Sequence, residues 1–262
     1  MTSVVTTQRG EHREQPISTD GSEARGLLDR DDLLQLLDGA VTKRVTVISA
    51  PPGSGKTSLL RAWADRSTDR RRVAFVSVDR DQQDAQRFWC AVLHAIRGPA
   101  CSVDPAATAA LDDHRVLDSV LSALGEHAEP VVLIVDDLHE LRSADAVAQL
   151  EHLLATLPSS ARVVLSSRRD PSIRLHQLRL AGELAEIRAG DLQFSERETR
   201  ELLATSAISL SDAGSVALHQ RTEGWAAGLR LAVISLTGHA DPERFVAEFS
   251  GTDRAIGEYL MA

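Results

Sequence analysis

Residues 49–58 read SAPPGSGKTS, and their types and spacing suit one task, the cradling of phosphate. A phosphate-binding loop is commonly written G-x-x-x-x-G-K-[S/T]. Here Ala50 stands at the first glycine. Gly53 and Gly55 let the backbone turn its N–H groups inward without Cβ clashes, which forms a nest for phosphate oxygens. Lys56 brings a point charge to the β- and γ-phosphates. Thr57 offers a hydroxyl to Mg²⁺ and opens a helix whose positive dipole end faces the phosphates. Pro52, Ser54 and Ser58 complete the run of cofactor-binding positions. Each charge-assisted hydrogen bond contributes roughly 1.5–3 kcal/mol, so several together reach about micromolar affinity. Ala50 falls at the exit from a strand, remote from the nest, where a small residue is required and a left-handed backbone is not. The alternative is a chance Gly/Ser turn, but strand, loop, lysine, Thr57 and helix all coincide.

Acidic and basic groups follow at the ends of two further apolar runs. Asp136 and Asp137 close VVLIVDD, and a carboxylate at the C-terminal end of a buried strand lies on the ligand-binding edge of a parallel sheet. Asp136 can hold Mg²⁺ through its water shell, and Asp137 can orient or deprotonate an attacking water. For Asp137 a helix N-cap or a plain loop charge is the alternative. Arg168 and Arg169 follow VVLSS, where an arginine can reach a γ-phosphate; a surface salt bridge is the other reading. His139, in DDLHEL, suits either a polarising group or a structural hydrogen bonder. Phe88, Trp89 and Trp225 sit at helical core positions.

Elements must position these groups. RVTVISA (44–50), VAFVSV (73–78), VVLIVDD (131–137), ARVVLSSRRDP (161–171) and ELAEIR (183–188) read as strands. Between them, TSLLRAWADRS, DAQRFWCAVLHAIRG (84–98, closed by Gly98), VLDSVLSALGEH and ADAVAQLEHLLATLP read as helices. A leucine-rich helical repeat precedes the first strand over 26–40, and 99–114 reads as a loop or irregular helix. Strands alternating with helices predict an α/β fold, a parallel sheet with helices on both faces. From LQFSERETRELLATSA onward, with Ser195 and Glu198 spaced as a capping box, only helices are predicted. The expected division is a disordered tail at 1–25, a nucleotide-binding domain at 26–190 and a small helical domain at 191–262.

Composition is that of a folded domain, 43% hydrophobic and 26% charged over 262 residues. The net charge of −9 argues against this chain coating nucleic acid. The basic run DRRRV (69–73) reads as a solvated loop. Two cysteines, Cys90 and Cys101, make neither a disulfide framework nor a metal set and read as packing residues. No apolar run approaches the roughly 18 residues that span a bilayer, and the N-terminus has no hydrophobic signal core, so a cytoplasmic location without membrane contact is expected.

Six stretches in order, RVTVISAPPGSGKTSLLRAWA, VAFVSVDRDQQDAQRFWCAVLHAI, VVLIVDDLHEL, VVLSSRRDP, GELAEIRAGDLQFSERE and RTEGWAAGLRLAVISL, resemble the nucleotide-binding part of MalT-like STAND regulators, the ATP-dependent LuxR-type transcription activators. The resemblance runs from about Gly26 to the C-terminus, and QRFW, DDLHEL and TEGWAAGL are more specific than the loop. Alanine at position 50 is that family's usual spelling. The resemblance implies a P-loop NTPase of the AAA+/STAND kind with ATP/ADP and Mg²⁺ as cofactors. It implies Lys56 and Thr57 as phosphate and Mg²⁺ ligands, Asp136 as the Mg²⁺ aspartate, Asp137 as the base and Arg168 as the strand-end sensor. It places the lead-in at Leu28–Arg30, and with it Arg30, beside the adenine. Gly224 and Trp225 match the turn of the helical domain that closes over the nucleotide, although Ala226 or Ala227 replaces the proline that many STAND relatives carry there. It further implies self-association when ATP is bound. Such proteins continue into a winged-helix arm, a sensor region and a helix-turn-helix. AIGEYLMA stands about where the arm would begin, so either a fragment or a stand-alone module is expected, and direct DNA binding by this chain is not. The function expected is an ATP/ADP switch with slow Mg²⁺-dependent hydrolysis. A small-molecule phosphotransferase on the same loop and a non-hydrolysing nucleotide-binding scaffold are the alternatives.

Overall fold

Runs of β-branched residues build the sheet. β1 (Val45–Ser49), β3 (Val131–Asp136) and β4 (Ala161–Ser167) are buried along almost their whole length, as expected of strands covered on both faces. With β2 (Arg72–Ser77) and β5 (Leu184–Arg188) they form one sheet in the order β2-β3-β4-β1-β5. Every neighbouring pair is parallel. The computed structural model describes residues 30–66, 71–79, 84–98, 113–127 and 129–249. The tail at 1–25, Leu28, Cys101 and nearly all of the segment 99–114 lie outside them.

The strand alternation sends two sets of side chains in opposite directions. Ile48, Ile134 and Val164 face α1 (Asp31–Val41) and α2 (Lys56–Asp65), packing with Leu34, Leu37, Leu60 and Trp63. Val47, Leu133, Val163 and Leu165 face α3 (Ala85–Arg97), α4 (Asp113–Glu126) and α5 (Ala144–Thr156). There Phe88 and Trp89 meet edge to face, with ring centroids 4.9 Å apart, and both are fully buried. Truncating either to alanine costs about 3–5 kcal/mol. Helix ends follow local chemistry. Asp84 caps α3 by accepting from the Gln86 N–H, and Gly98 ends it with φ +75°. Ser143 caps α5 by accepting from the Ala146 N–H.

Beyond α6 (His176–Leu180), β5 and α7 (Ala189–Leu192) come, among the described residues, four helices, α8 (Glu196–Thr205), α9 (Asp212–Thr222), α10 (Ala226–Leu236) and α11 (Pro242–Glu248). They share a third apolar cluster of Leu203, Leu218, Leu229, Ala232, Leu236, Val246 and Phe249. The Ser195/Glu198 capping box opens α8, each side chain holding the other's backbone N–H.

The α/β class and the helices on both faces match the sequence reading, and three details differ. β4 ends at Ser167 instead of running to 171. Its last ladder bond is Ala50 N–H to Ser167 C=O at 3.2 Å; beyond it β1 has become a loop, so no strand remains to pair. α6 was not expected, since its five residues include none that is buried and so carry no apolar period. Of the basic run, the described residues are structural. Arg71 stacks on Trp63 at 3.8 Å and bonds Asp38, while Arg72 opens β2 and donates to the Arg97 carbonyl.

Candidate nucleotide site

The parallel register sets Ser49 beside Ser167 and Ser77 beside Asp136, so β1, β2, β3 and β4 end along one edge. Everything sequence analysis singled out on these strands converges there. The loop leaves β1 at Ala50, which is buried, continues the ladder to Ser167 and is not among the residues with positive φ. Alanine therefore fits without strain. One feature was not expected: the Ala50 carbonyl accepts from Lys56 Nζ at 2.8 Å, so the backbone there is not remote from the site. The Pro51 carbonyl accepts from the same ammonium at 3.0 Å and from the Ser54 hydroxyl at 2.7 Å.

Gly53 (φ +72°) and Gly55 (φ +86°) supply the two left-handed turns, a conformation that side chains resist. Gly55 is also the N-cap of α2, whose first residues are Lys56, Thr57 and the exposed Ser58. The loop thus ends on a helix N-terminus, where orphan N–H groups and the dipole favour an anion. Lys56 is almost fully buried. Burial pushes its ammonium below the ordinary value, Asp137 and Asp136 pull it back up, and Arg168 lowers it further.

Across the loop, the Thr57 hydroxyl donates to Asp136 Oδ2 at 2.7 Å. Asp136 is fully buried, and its other oxygen accepts from the Asp137 N–H at 2.9 Å. A hydroxyl beside a buried carboxylate is a hard-oxygen donor pair, which fits Mg²⁺ completed by phosphate oxygens and water. Asp137 has φ +53° and makes no capping hydrogen bond from its side chain. Arg168 is exposed at the end of β4, and its charge depresses both Lys56 and His139. Ser166, to which the sequence reading gave no role, faces the same side of the sheet as Asp136 and carries a buried hydroxyl with no hydrogen-bond partner. A serine pair closing the apolar run VVL was the available clue.

The helical segment reaches the loop directly. The Ala227 N–H donates to the Gly53 carbonyl at 3.0 Å, and the Trp225 indole N–H donates to the Pro52 carbonyl at 3.2 Å. Trp225 is half-buried: it packs against the third apolar cluster, as a core residue would, and bridges to the loop as well. Gly224 (φ +67°) accepts at its carbonyl from the Phe194 N–H at 2.8 Å, and a Cβ there would lie 2.3 Å from the Phe194 oxygen. Arg30 precedes α1 and points at the helical side. It donates to Glu198 Oε1, Leu192 O and Gln193 O, each at 2.8 Å, and lies over the Phe194 ring. Leu192 and Gln193 line a cavity of about 260 Å³ with Pro51, Pro52, Trp225 and Ala226.

Residues 28–166 match the AAA ATPase domain family. Over 242 residues the chain is 29% identical to the serine/threonine-protein kinase PknK of Mycobacterium tuberculosis, covering 89% of this chain and 22% of that protein. It is 29% identical over 245 residues to the HTH-type transcriptional regulator MalT of Yersinia enterocolitica, covering 88% of this chain and 26% of that one. The chain thus spans about a quarter of the curated relatives it matches. A Walker-type ATPase of Pyrococcus abyssi shares the fold with a TM-score of 0.60 at 13% identity, over 85% of this chain and 71% of that one. A Signal Transduction ATPase with Numerous Domains (STAND) protein of Pyrococcus horikoshii, which has a tetratricopeptide repeat sensor, gives 0.56 at 16% identity, over 85% and 32%. At such identities the likeness is one of fold. The expected resemblance to MalT is borne out by the match to the Yersinia enterocolitica regulator. Since the family match takes in the whole loop, both aspartates and β4 as far as Ser166, the chain belongs to the AAA ATPase domain family.

Proposed function

We propose that this chain is a nucleotide-operated switch that binds ATP and ADP with Mg²⁺ and hydrolyses ATP slowly. The observation that carries this reading is the 2.7 Å bond from Thr57 to buried Asp136, which ties the helix end of the loop to the sheet edge. Gly53 and Gly55 open the loop backbone to the phosphates, and Lys56, with two of its three N–H donors on loop carbonyls, directs the third at the anion. Thr57 and Asp136 would hold Mg²⁺, which supplies positive charge to the β- and γ-phosphate oxygens. Asp137 takes a proton from water, the water oxygen bonds to the γ-phosphorus, and the bond to the bridging oxygen breaks with its electron pair leaving on ADP. Arg168 meets the γ-phosphate from the end of β4. The cavity at Pro52, Leu192 and Ala226 takes the base, and Arg30 orders its 192–193 wall.

The switch itself rests on the bonds from Trp225 and Ala227 to the loop carbonyls. Any shift of the loop on phosphate binding moves the acceptors of α10, so the helices at 191–262 form the responding domain and 26–190 the nucleotide domain. The relatives differ in output, one named a kinase and the other a transcriptional regulator, while sharing this quarter of their length. That supports a control module whose readout lies elsewhere, and does not support DNA binding by this chain. Thermal unfolding of the chain with Mg²⁺ and ADP, ATP or nothing, followed by phosphate release, tests the reading. Ligand at about 100 times its Kd adds roughly 2.7 kcal/mol of stability. A shift with both nucleotides and slow release is expected; no shift with either overturns the assignment.

A further inference from the structure

The turn after β3 holds a histidine whose polar atoms are unsatisfied. His139 is the middle residue of the 3₁₀ turn Leu138–Glu140, and its side chain is 10% exposed. Both ring nitrogens are buried without a hydrogen-bond partner. Nδ1 faces Asp137 Oδ1 at 3.8 Å, and Nε2 faces Glu140 Oε1 at 3.5 Å; neither closes into a hydrogen bond. Buried polar atoms are nearly always paired, so a ring with two open nitrogens beside a candidate base marks a contact completed in another state of the site.

The charges around the ring come from three places, Asp137 and Glu140 in its own turn, Arg168 at the end of β4 and Lys56 at the start of α2. Burial first, and then Arg168, hold the imidazole below its ordinary value against the pull of the two carboxylates. The ring is thus neutral near pH 7, with one N–H to donate and one lone pair. It can donate to only one carboxylate. The Glu140 side chain is 12% exposed and has Arg142 beside it at 3.8 Å. The Asp137 side chain is 37% exposed, so it can meet water, and no cap restrains it.

We propose that His139 is a positioning residue for hydrolysis: its Nδ1–H closes onto Asp137 Oδ1 and fixes that carboxylate toward the attacking water. His139 exchanges no proton itself; the water proton still goes to Asp137. Nε2 is then the acceptor, and a tilt of the ring toward Asp137 draws it away from Glu140. This inference rests on the reading of Asp137 as the base.

The side chains that imitate one nitrogen at a time provide the test. Asparagine places an amide N–H near the Nδ1 position, glutamine near Nε2, and leucine offers neither. In the full chain, His139→Leu lowers kcat for phosphate release about 10- to 100-fold, with KM and the ADP-induced thermal shift unchanged. His139→Asn recovers most of that loss and His139→Gln does not. Unaltered kcat in His139→Leu, equal rescue by both amides, or loss of the ADP shift in His139→Leu overturns the proposal. Asp137→Ala separates the two claims. Release that Asp137→Ala abolishes but His139→Leu retains removes the role of His139 alone, whereas absence of release from the unaltered chain removes hydrolysis and this role together.

Discussion

The loop at 51–58 and the turn at 137–141 stand on either side of β4, yet they are built differently. In the loop three polar side chains are engaged: Ser54 on Pro51, Lys56 on two carbonyls, Thr57 on Asp136. In the turn, Asp137 is left-handed and uncapped, His139 has two open nitrogens, and Arg168 nearby forms no ion pair with a described residue. The groups assigned to binding are held by neighbours within the fold; the groups assigned to hydrolysis are not. Binding should therefore depend on the loop and the helical segment that touches it, and turnover on a rearrangement of the turn.

The largest effect that can break this contrast is at Lys56. Lys56→Ala removes the loop's only cation and the two bonds that brace its carbonyls. The expected outcome is loss of nucleotide stabilisation, which amounts to roughly 2.7 kcal/mol at about 100 times Kd. A full thermal shift in that variant would mean that the loop is not where phosphate binds. Next is Asp137→Ala, expected to keep the shift and lose about 10²- to 10⁴-fold in phosphate release. If both binding and turnover fell together, the two halves would not be separable.

Gly224→Ala sharpens the comparison from the helical side. The new Cβ would meet the Phe194 carbonyl at 2.3 Å, at a φ of +67°. Strain of this kind costs about 1–3 kcal/mol, read as a lower denaturant midpoint. The variant should also bind nucleotide more weakly, because Trp225 and Ala227 follow directly and carry the bonds to the loop. Unchanged affinity would show that the helical segment is a passive neighbour.

Local rules made much of this legible from the sequence. Gly53, Gly55 and Lys56 act through backbone conformation and charge within a few residues, and β3 announces itself as five apolar residues before Asp136. Ala50 could be accepted because a strand exit does not require positive φ. What escaped depended on distant partners. The resemblance implies Arg30 beside the base; the partners that hold its guanidinium, Glu198 and two carbonyls more than 160 residues away, had no local signal. Trp225 has the apolar context of a core residue, and only the approach of Pro52 reveals its polar role. His139 illustrates the limit most plainly. Its burial, its unpaired nitrogens and the charges of Arg168 and Lys56 around it arise from tertiary packing, and no spacing in DDLHEL encodes them.

The smallest effect concerns the clasp between the two regions, and it has a pH signature. Burial would raise the Glu198 carboxyl, but the Arg30 hydrogen bond and the Ser195 N–H and hydroxyl outweigh it and hold it below 4.5. The folded state therefore binds this proton less readily than the unfolded chain does. The stabilisation is fully present above about pH 4.5 and is lost as pH falls through the lower folded value. Because the pair is largely shielded and the cost of removing both charges from water offsets much of their attraction, its net contribution is about 1 kcal/mol. Glu198→Gln should lower stability by that amount at pH 7 and flatten the acid limb of the stability curve below pH 4.5. Denaturant midpoints between about pH 3 and 7 measure both. An acid limb identical in the variant would place the proton uptake on other carboxylates. The clasp would then be held by the two carbonyls that Arg30 also reaches, a contact that does not titrate and would keep the helical segment docked at any pH at which the sheet survives.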